Sequence, residues 1–319
     1  MTGLVTVFGG SGFLGRHAVR ALAKRGWRVR AAVRRPDLAG HLQPMGGVGQ
    51  IMAVQANLRY PDSVMRAVEG ADAVVNLVGI LFESGRQSFD RVQAEGPGVI
   101  AKAAQRVGID RLVHVSAIGA DSESPAVYAQ TKAAGEAAVL REMPSAIILR
   151  PSIIFGPEDN FFNQFAAMAR VFPALPLIGG GETRFQPVFV GDVAEAIALG
   201  LEGKAKPGAI YELGGPAVKS FRQILEYILA ETGRNRALIP IPFPLAELQG
   251  RLLGMLPKPL LTRDQVLMLK SDNVVSAAAI AEGRTLEGLG LAPASIEAIV
   301  PGYLYRFRAA GQFDREKAV

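Results

Sequence analysis

The stretch LVTVFGGSGFLG, residues 4–15, decides the fold. Five residues of β type, LVTVF, run into paired glycines, and FLGRHAVRALAKRG follows with apolar residues at helical spacing. Strand, glycine turn and helix in that order match a dinucleotide-binding βα unit. The glycines fit two overlapping patterns, Gly9-x-x-Gly12-x-x-Gly15 and Gly10-x-Gly12-x-x-Gly15. One glycine permits the tight turn, one lets the backbone approach a pyrophosphate, and one lets helix and strand pack closely. Main-chain N–H groups at the new helix, with its positive dipole end, face the phosphates. The expected contacts therefore run through Gly9, Gly10, Ser11, Gly12, Phe13, Leu14, Gly15 and Arg16.

Outward from this unit, strands and helices alternate. The helix ends near Gly26, and WRVRAAVRR reads as a second strand. A Gly/Pro-rich loop over 36–49 leads to QIMAVQANL, the third strand, and to a short helix over 62–69. ADAVVNLVGI is a fourth strand, 89–107 has helical spacing, DRLVHVSAIGA is a fifth strand, 128–142 a helix and SAIILRPSIIFG a sixth strand. This alternation predicts parallel crossovers with helices on both faces: an α/β doubly wound parallel sheet of Rossmann type. Beyond Phe155 proline and glycine become frequent and the alternation is lost, although 187–215 still reads as a helix and a strand returning to the main sheet. The predicted division is a dinucleotide-binding domain over 1–155, with 187–215 returning to it. Residues 156–186 and 216–319 form a smaller, mainly helical, substrate-side or docking region.

Composition narrows the chemistry. The 319 residues are 49% hydrophobic and 20% charged, as in a folded globular protein. There is no cysteine, which removes disulfides, iron–sulfur clusters and thiolate catalysis. Three scattered histidines, His17, His41 and His114, do not make a metal site, so no metal is expected. The net charge of +6 is spread over dispersed arginines without an aromatic-and-basic pattern, so no nucleic-acid partner is expected and a polyanionic cofactor fits the charge better. No apolar run reaches the roughly 18 residues of a membrane span. The first strand begins almost at the N-terminus, leaving no room for a targeting segment and predicting a cytoplasmic protein.

An acid at the end of the second strand, about 20 residues past the glycine loop, ordinarily binds the 2′-hydroxyl of NAD. That place holds Arg34 and Arg35. A guanidinium binds a 2′-phosphate through charge-assisted, often bidentate hydrogen bonds, which predicts NADP(H), with Arg34 foremost and Arg35 and Arg16 assisting. Asn57 and Leu58 end the third strand beside the adenine, and Asn76, Val78 and Gly79 end the fourth, where backbone close to the adenosine half favours a small residue. Ser116 ends the fifth strand, and Tyr128 and Lys132 follow one helical turn apart. An ammonium near a phenol favours the phenolate, so Tyr128 is a candidate proton donor to a small-molecule carbonyl, with Lys132 on the nicotinamide ribose and Ser116 orienting the substrate oxygen. The bland alternative is two residues on a helix surface.

GGSGFLG, Asn57-Leu58, NLVG, VSAIGAD, YAQTKAAGE and RPSIIFGPEDNF together resemble the extended and atypical short-chain dehydrogenases/reductases. RPSIIFGPEDNFFN, QPVFVGDVAEAI and LTRDQVLMLKSDNVV narrow this to the branch that contains the NADPH-binding accessory subunit of respiratory complex I and its bacterial relatives. Mitochondrial members carry a presequence, so this chain resembles a bacterial one. The resemblance implies tightly held NADPH of structural or regulatory use, and docking on respiratory complex I subunits at the membrane surface. That corresponds to the inner face of the plasma membrane, beside the ubiquinone end. The intact Ser116, Tyr128 and Lys132 set keeps open an NADP-dependent reductase or dehydrogenase acting on a small carbonyl, sugar or quinone-related substrate.

In the second half, Pro151, Ile154 and Phe155 are expected to wall the nicotinamide, and Asn160 and Arg184 either meet a polar substrate or serve their loops. Asp192, opening a helix after PVFVG, reads as a helix N-cap, with an acid catalyst as the alternative. PFPLAELQGRLLGMLPKPLL carries leucines at helical spacing beside Arg251 and Lys258, for packing on core or partner, or in a membrane interface. The terminal YLYRFRAAGQFDREK is either a docking element or a solvated tail.

Overall fold

A computed structural model describes residues 3–257, 259–309 and 311. The chain forms two compact units. The first comprises residues through Pro151 with Val190–Leu213 and Ser276–Ala292; the second comprises Ser152–Phe189, Gly214–Val275 and residues from Pro293 onward.

The first unit is built on β1 (Leu4–Phe8), β2 (Arg28–Val33), β3 (Ile51–Gln55), β4 (Ala73–Asn76), β5 (Leu112–Val115), β6 (Ile147–Pro151) and the strand Ile210–Leu213. Their order across the sheet is Ile210–Leu213, β6, β5, β4, β1, β2, β3, and every pairing is parallel. β1 is central: Val5 pairs with Val29 on one side and Ala73 on the other. Buried on both faces, such strands read as continuous apolar runs, and Thr6, the polar exception in β1, donates its hydroxyl to the Ala67 carbonyl at 2.7 Å. The connections run through α1 (Phe13–Lys24), α2 (Pro61–Val68), α3 (Gly96–Arg106) and α4 (Val127–Glu142). One core joins Val64, Ile100, Ala104 and Val139 of the helices to Val74, Leu112 and Ile148 of the sheet. The chain's winding reverses between β1 and β4, and such a switch point opens a crevice at the carboxyl ends of the strands.

Two expectations need correction here. The span 89–107 is not one α-helix: Asp90–Glu95 is wound as a π-helix before α3 begins. Pro97 lacks the N–H an inner α-turn needs. Second, 276–292 belongs with the first unit. It covers the open edge strand Ile210–Leu213: Ser276 N–H donates to Glu212 Oε2 at 2.7 Å, Glu212 N–H to the Arg284 carbonyl at 3.0 Å, and Arg284 Nη1 to the Ile210 carbonyl at 2.5 Å. An uncovered edge would leave those groups unpaired.

The second unit packs the helices Phe162–Val171 and Phe221–Glu231 around phenylalanines 155, 162, 185 and 221. The strand Ala237–Ile241 runs into the proline-rich IPIPFP and lies parallel to Ala174–Ile178. The helix Phe243–Leu253 buries Ala246 and Gly250, while Leu248 and Leu252 stay 54% and 63% exposed. Leu248 and Leu252 are therefore not packed on the protein's own core, whereas Leu261, at the end of the same stretch, is. Lys258 lies outside the described residues, as does the tail from Gln312 onward; Tyr303 and Leu304, which open YLYRFR, are buried. Among the described residues no helix is long and apolar enough to cross a membrane.

Candidate nucleotide-binding site

The glycine loop turns where Gly9 takes φ +81, a value that favours glycine. Gly12 N–H closes the turn on the Gly9 carbonyl at 3.0 Å. A Cβ on Gly15 would fall 2.1 Å from that same carbonyl oxygen, so α1 can approach β1 only with glycine there. Gly12 is the N-cap of α1 and has no side chain to cap it, so the leading N–H groups of the helix could be satisfied by a phosphate. Gly10 and Gly15 are buried, and Phe13, Leu14 and Arg16 half-buried.

A crevice at the switch point is lined by Gly9, Ser11, Gly12, Arg34, Asn57, Leu58, Val78 and Gly79, all expected from sequence. It is also lined by Arg59, Ile80, Gln87 and Val92, which were not. Asn76 shapes its floor: its Oδ1 accepts the Val78 N–H at 3.1 Å, and its Nδ2 meets His114 Nδ1 at 3.0 Å. An amide nitrogen only donates, so His114 Nδ1 accepts and the neutral ring carries its proton on Nε2. Burial, with Lys132 nearby, pushes His114 down to about 3.

The two neighbouring arginines part company. Arg34, just past β2, lines the crevice and donates Nη1 to Gln87 Oε1 at 2.5 Å. Arg35 forks onto the Asp37 carboxylate at 2.9 and 2.6 Å in solvent. Its charge is already partnered, so the assisting role expected for Arg35 does not match its position.

Ser116, Tyr128 and Lys132 come together at the ends of β5 and α4. Lys132 is buried, donates Nζ to the Val115 carbonyl at 3.3 Å, and lies 5.9 Å from the Tyr128 ring centre. Burial brings its pKa down to about 8, with Glu136 opposing the fall. Ser116 Oγ is buried without a hydrogen-bond partner among the described residues, the kind of group a bound substrate or nucleotide satisfies. A Cβ on Gly79 would stand 3.5 Å from Lys132 Nζ, so the crevice backbone reaches this lysine. Gln93, unnoticed in the sequence, braces the same corner: Oε1 accepts the Ile80 N–H at 3.2 Å and Nε2 donates to Thr131 Oγ1 at 3.3 Å. Gly135 in α4 makes room for this segment, since a Cβ there would meet the Gln93 carbonyl at 2.1 Å.

The other expected residues are not among those that line this crevice. Phe155 is 0% exposed, packed on Phe162 and Phe189, and cannot face a nicotinamide. Pro151 is buried at the end of β6, where its carbonyl accepts the Ile118 N–H, and Ile154 is half-buried in a two-residue strand beside Val188. Arg184 pairs with Asp272 at 2.6 Å, and Asn160 is exposed. Asp192 sits in the first turn of the helix Val190–Leu201, where a carboxylate complements the dipole, and not at its cap. The TRDQ motif is a capping box in which Thr262 and Gln265 exchange side-chain and main-chain bonds. The SDN motif ties the 271–275 segment to Arg184 and Gln186, and Asn273 also accepts the buried Ser152 hydroxyl at 2.7 Å.

Comparison with known proteins fits this geometry. Residues 5–214 match the family model "NAD dependent epimerase/dehydratase family". The chain is 35% identical to the mitochondrial NADH dehydrogenase [ubiquinone] 1 alpha subcomplex subunit 9 of Arabidopsis thaliana, over 98% of this chain and 80% of that protein. It is 36% identical to the subunit of the same name from Rattus norvegicus, over 92% and 78%. A ceramide reductase of Caulobacter vibrioides is 36% identical over 55% of this chain and 54% of its own length. Among solved structures, gox2253 superposes with a TM-score of 0.71 at 23% identity, covering 97% of this chain and 98% of that one. A UDP-glucose 4-epimerase of Thermotoga maritima superposes with a TM-score of 0.67 at 17% identity, covering 95% and 98%; these two speak for the fold alone. Glycine loop, switch-point crevice and family match agree: this chain belongs to the NAD dependent epimerase/dehydratase family, an NAD(P)-binding family, with complex I subunits among its relatives.

Proposed function

We propose that the protein holds NADP(H) in the switch-point crevice as a resident group, and serves as an accessory component of a quinone-linked, complex I-type assembly at the inner face of the cytoplasmic membrane. The observation that carries this reading is the near-full-length likeness to complex I subunits, at 35–36% identity. Arg34 supports the phosphorylated nucleotide, since it lines the crevice just past the end of β2 and has no carboxylate partner among the described residues. Glycine loop and α1 would hold the pyrophosphate, Asn57 and Leu58 the adenine side, and Tyr128 with Lys132 the nicotinamide ribose. Bound there, the cofactor supplies hydride chemistry to any carbonyl that reaches it. A pull-down of the tagged protein from gently solubilised membranes, with its nucleotide identified after denaturation, tests the reading. Respiratory subunits together with NADP(H) are expected; recovery of NAD, or of no respiratory subunit at any salt concentration, rejects it.

A second reading rests on the assembled Ser116, Tyr128 and Lys132 and on the likeness to a ceramide reductase. In it the protein is an NADP-dependent reductase of a small carbonyl, sugar or quinone-related substrate, and Tyr128 donates the proton. Single-turnover oxidation of bound NADPH that disappears in Tyr128→Phe would establish it over the first.

A further inference from the structure

Gln87 closes a tight hairpin. Ser84 N–H donates to the Gln87 carbonyl at 3.1 Å and Gln87 N–H to the Ser84 carbonyl at 3.0 Å, with Gly85 at φ +57 between them. Glu83 Oε1 accepts the Phe89 N–H at 2.7 Å, tying the hairpin at its base, and Phe89 packs edge-on against Tyr128. From this anchored position Gln87 Oε1 takes the Arg34 guanidinium at 2.5 Å, and both residues line the crevice.

The chemistry of that contact matters. A long exposed arginine loses rotamer freedom when it binds a ligand, and a contact that fixes it beforehand removes part of that loss. A guanidinium has five N–H donors; one goes to the glutamine, and the others remain for an anion. The glutamine oxygen is neutral, so the arginine keeps its charge. Arg35 shows the contrast, since its contact with Asp37 is a carboxylate fork that neutralises it.

We propose that Gln87 is a positioning residue for nucleotide choice. It presents Arg34 to the 2′-phosphate of NADP(H), and through Arg34 that phosphate holds the 83–89 hairpin over the adenosine end. NAD(H), lacking the phosphate, leaves the hairpin unlatched. This rests on the reading of Arg34 as the 2′-phosphate ligand.

The test uses the full chain stripped of nucleotide, with binding of NADPH, NADH, 2′,5′-ADP and 5′-AMP measured by calorimetry for wild type, Gln87→Ala, Arg34→Ala and the double variant. Gln87→Ala should weaken NADPH and 2′,5′-ADP about tenfold, the scale of one hydrogen bond to a charged group, and leave NADH and 5′-AMP unchanged. In the double variant Gln87→Ala should add nothing to Arg34→Ala. Arg86 is exposed at the hairpin tip, so 2′,5′-ADP should slow tryptic cleavage after Arg86 in wild type but not in Gln87→Ala, and 5′-AMP in neither. Gln87→Ala that weakens both nucleotides equally, or tightens NADPH, overturns the proposal. If Arg34→Ala erases the NADPH preference while Gln87→Ala keeps it, the latch alone fails. If Arg34→Ala leaves the preference intact, the reading of Arg34 falls and the latch with it.

Discussion

Lys132 donates Nζ to the carbonyl of Val115 at 3.3 Å, which fixes a buried ammonium one residue before the orphaned Ser116 hydroxyl. Desolvation brings its pKa down from 10.5 to about 8. Between those values the unfolded chain holds a proton that the folded chain has released, so stability rises with pH across that window. Below about pH 8 the folded state carries the full cost of the buried charge. Lys132→Met should therefore be more stable than wild type at pH 7, by on the order of 3 kcal/mol, and should lose the rise above pH 8. Glu136 keeps its fork with Arg150, at 2.9 and 2.6 Å, so the substitution orphans no carboxylate. Urea unfolding of the nucleotide-free protein from pH 7 to pH 10 measures both effects, and a variant that follows the wild-type curve contradicts them.

His114 has the same sign at the acid end. Its folded value near 3 lies below the ordinary 6.5, so its contribution is complete above pH 6.5 and is lost as pH falls toward 3. His114→Gln keeps an oxygen for Asn76 Nδ2 and removes the titration. Its acid-unfolding midpoint should move to lower pH, while stability at pH 7 drops by about 1 kcal/mol or less from imperfect packing. An unchanged midpoint would mean that other groups control acid unfolding.

The glycine loop separates packing from binding. Gly15→Ala drives a Cβ to 2.1 Å from the Gly9 carbonyl and should destabilise the fold by about 2–3 kcal/mol, since backbone cannot give way cheaply. Gly12→Ala meets nothing nearer than 3.3 Å, so stability should change by less than about 1 kcal/mol. Its methyl group would stand where the pyrophosphate must approach, so nucleotide affinity should fall instead. Thermal unfolding with and without NADPH distinguishes the two: Gly15→Ala lowers the unliganded midpoint, and Gly12→Ala lowers the shift produced by ligand.

The sheet and its crevice were legible because parallel strands buried on both faces write themselves as apolar runs, and because a glycine loop is a local device. Arg34 was legible for the same reason, since strand ends hold fixed places around the switch point. Gln87 and Gln93 were not, because each acts through a loop or π-turn whose path no periodicity encodes. Phe155 misled because an aromatic after a strand end suits a pocket wall and a core equally, and only its burial among phenylalanines decides. In the sequence the TRDQ and SDN signals only mark a resemblance to one branch. Their physical content, a helix cap and a clasp on Arg184, needed the second unit's long-range pairing to become visible.

That clasp has measurable energetics. Asp272 accepts the Arg184 N–H and Nε, both at 2.8 Å, but is partly exposed, so Asp272→Ala should cost only about 1 kcal/mol. Asn273 accepts the hydroxyl of the buried Ser152, and Asn273→Ala should cost about 2 kcal/mol by weakening a satisfied buried contact. Chemical denaturation gives both numbers, and a reversed order would mean that the ion pair, and not the buried hydroxyl, holds the segment.

The helix Phe243–Leu253 permits a contrast between its two faces. Gly250 lies against the backbone of Thr262 and Arg263, where a Cβ would come 2.7 Å from the Arg263 nitrogen. Gly250→Ala must therefore push the helix off the capping box and should destabilise by about 2 kcal/mol, although alanine is the better helix former. Leu248 and Leu252 point the other way, more than half exposed. Replacing both with glutamine removes little buried area and keeps helix propensity, so stability should stay within about 0.5 kcal/mol of wild type. If the double glutamine variant unfolded as readily as Gly250→Ala, the leucines would be core residues after all. If it stays as stable as wild type, the stripe is free of the protein's own fold, and its apolar character needs a reason outside it.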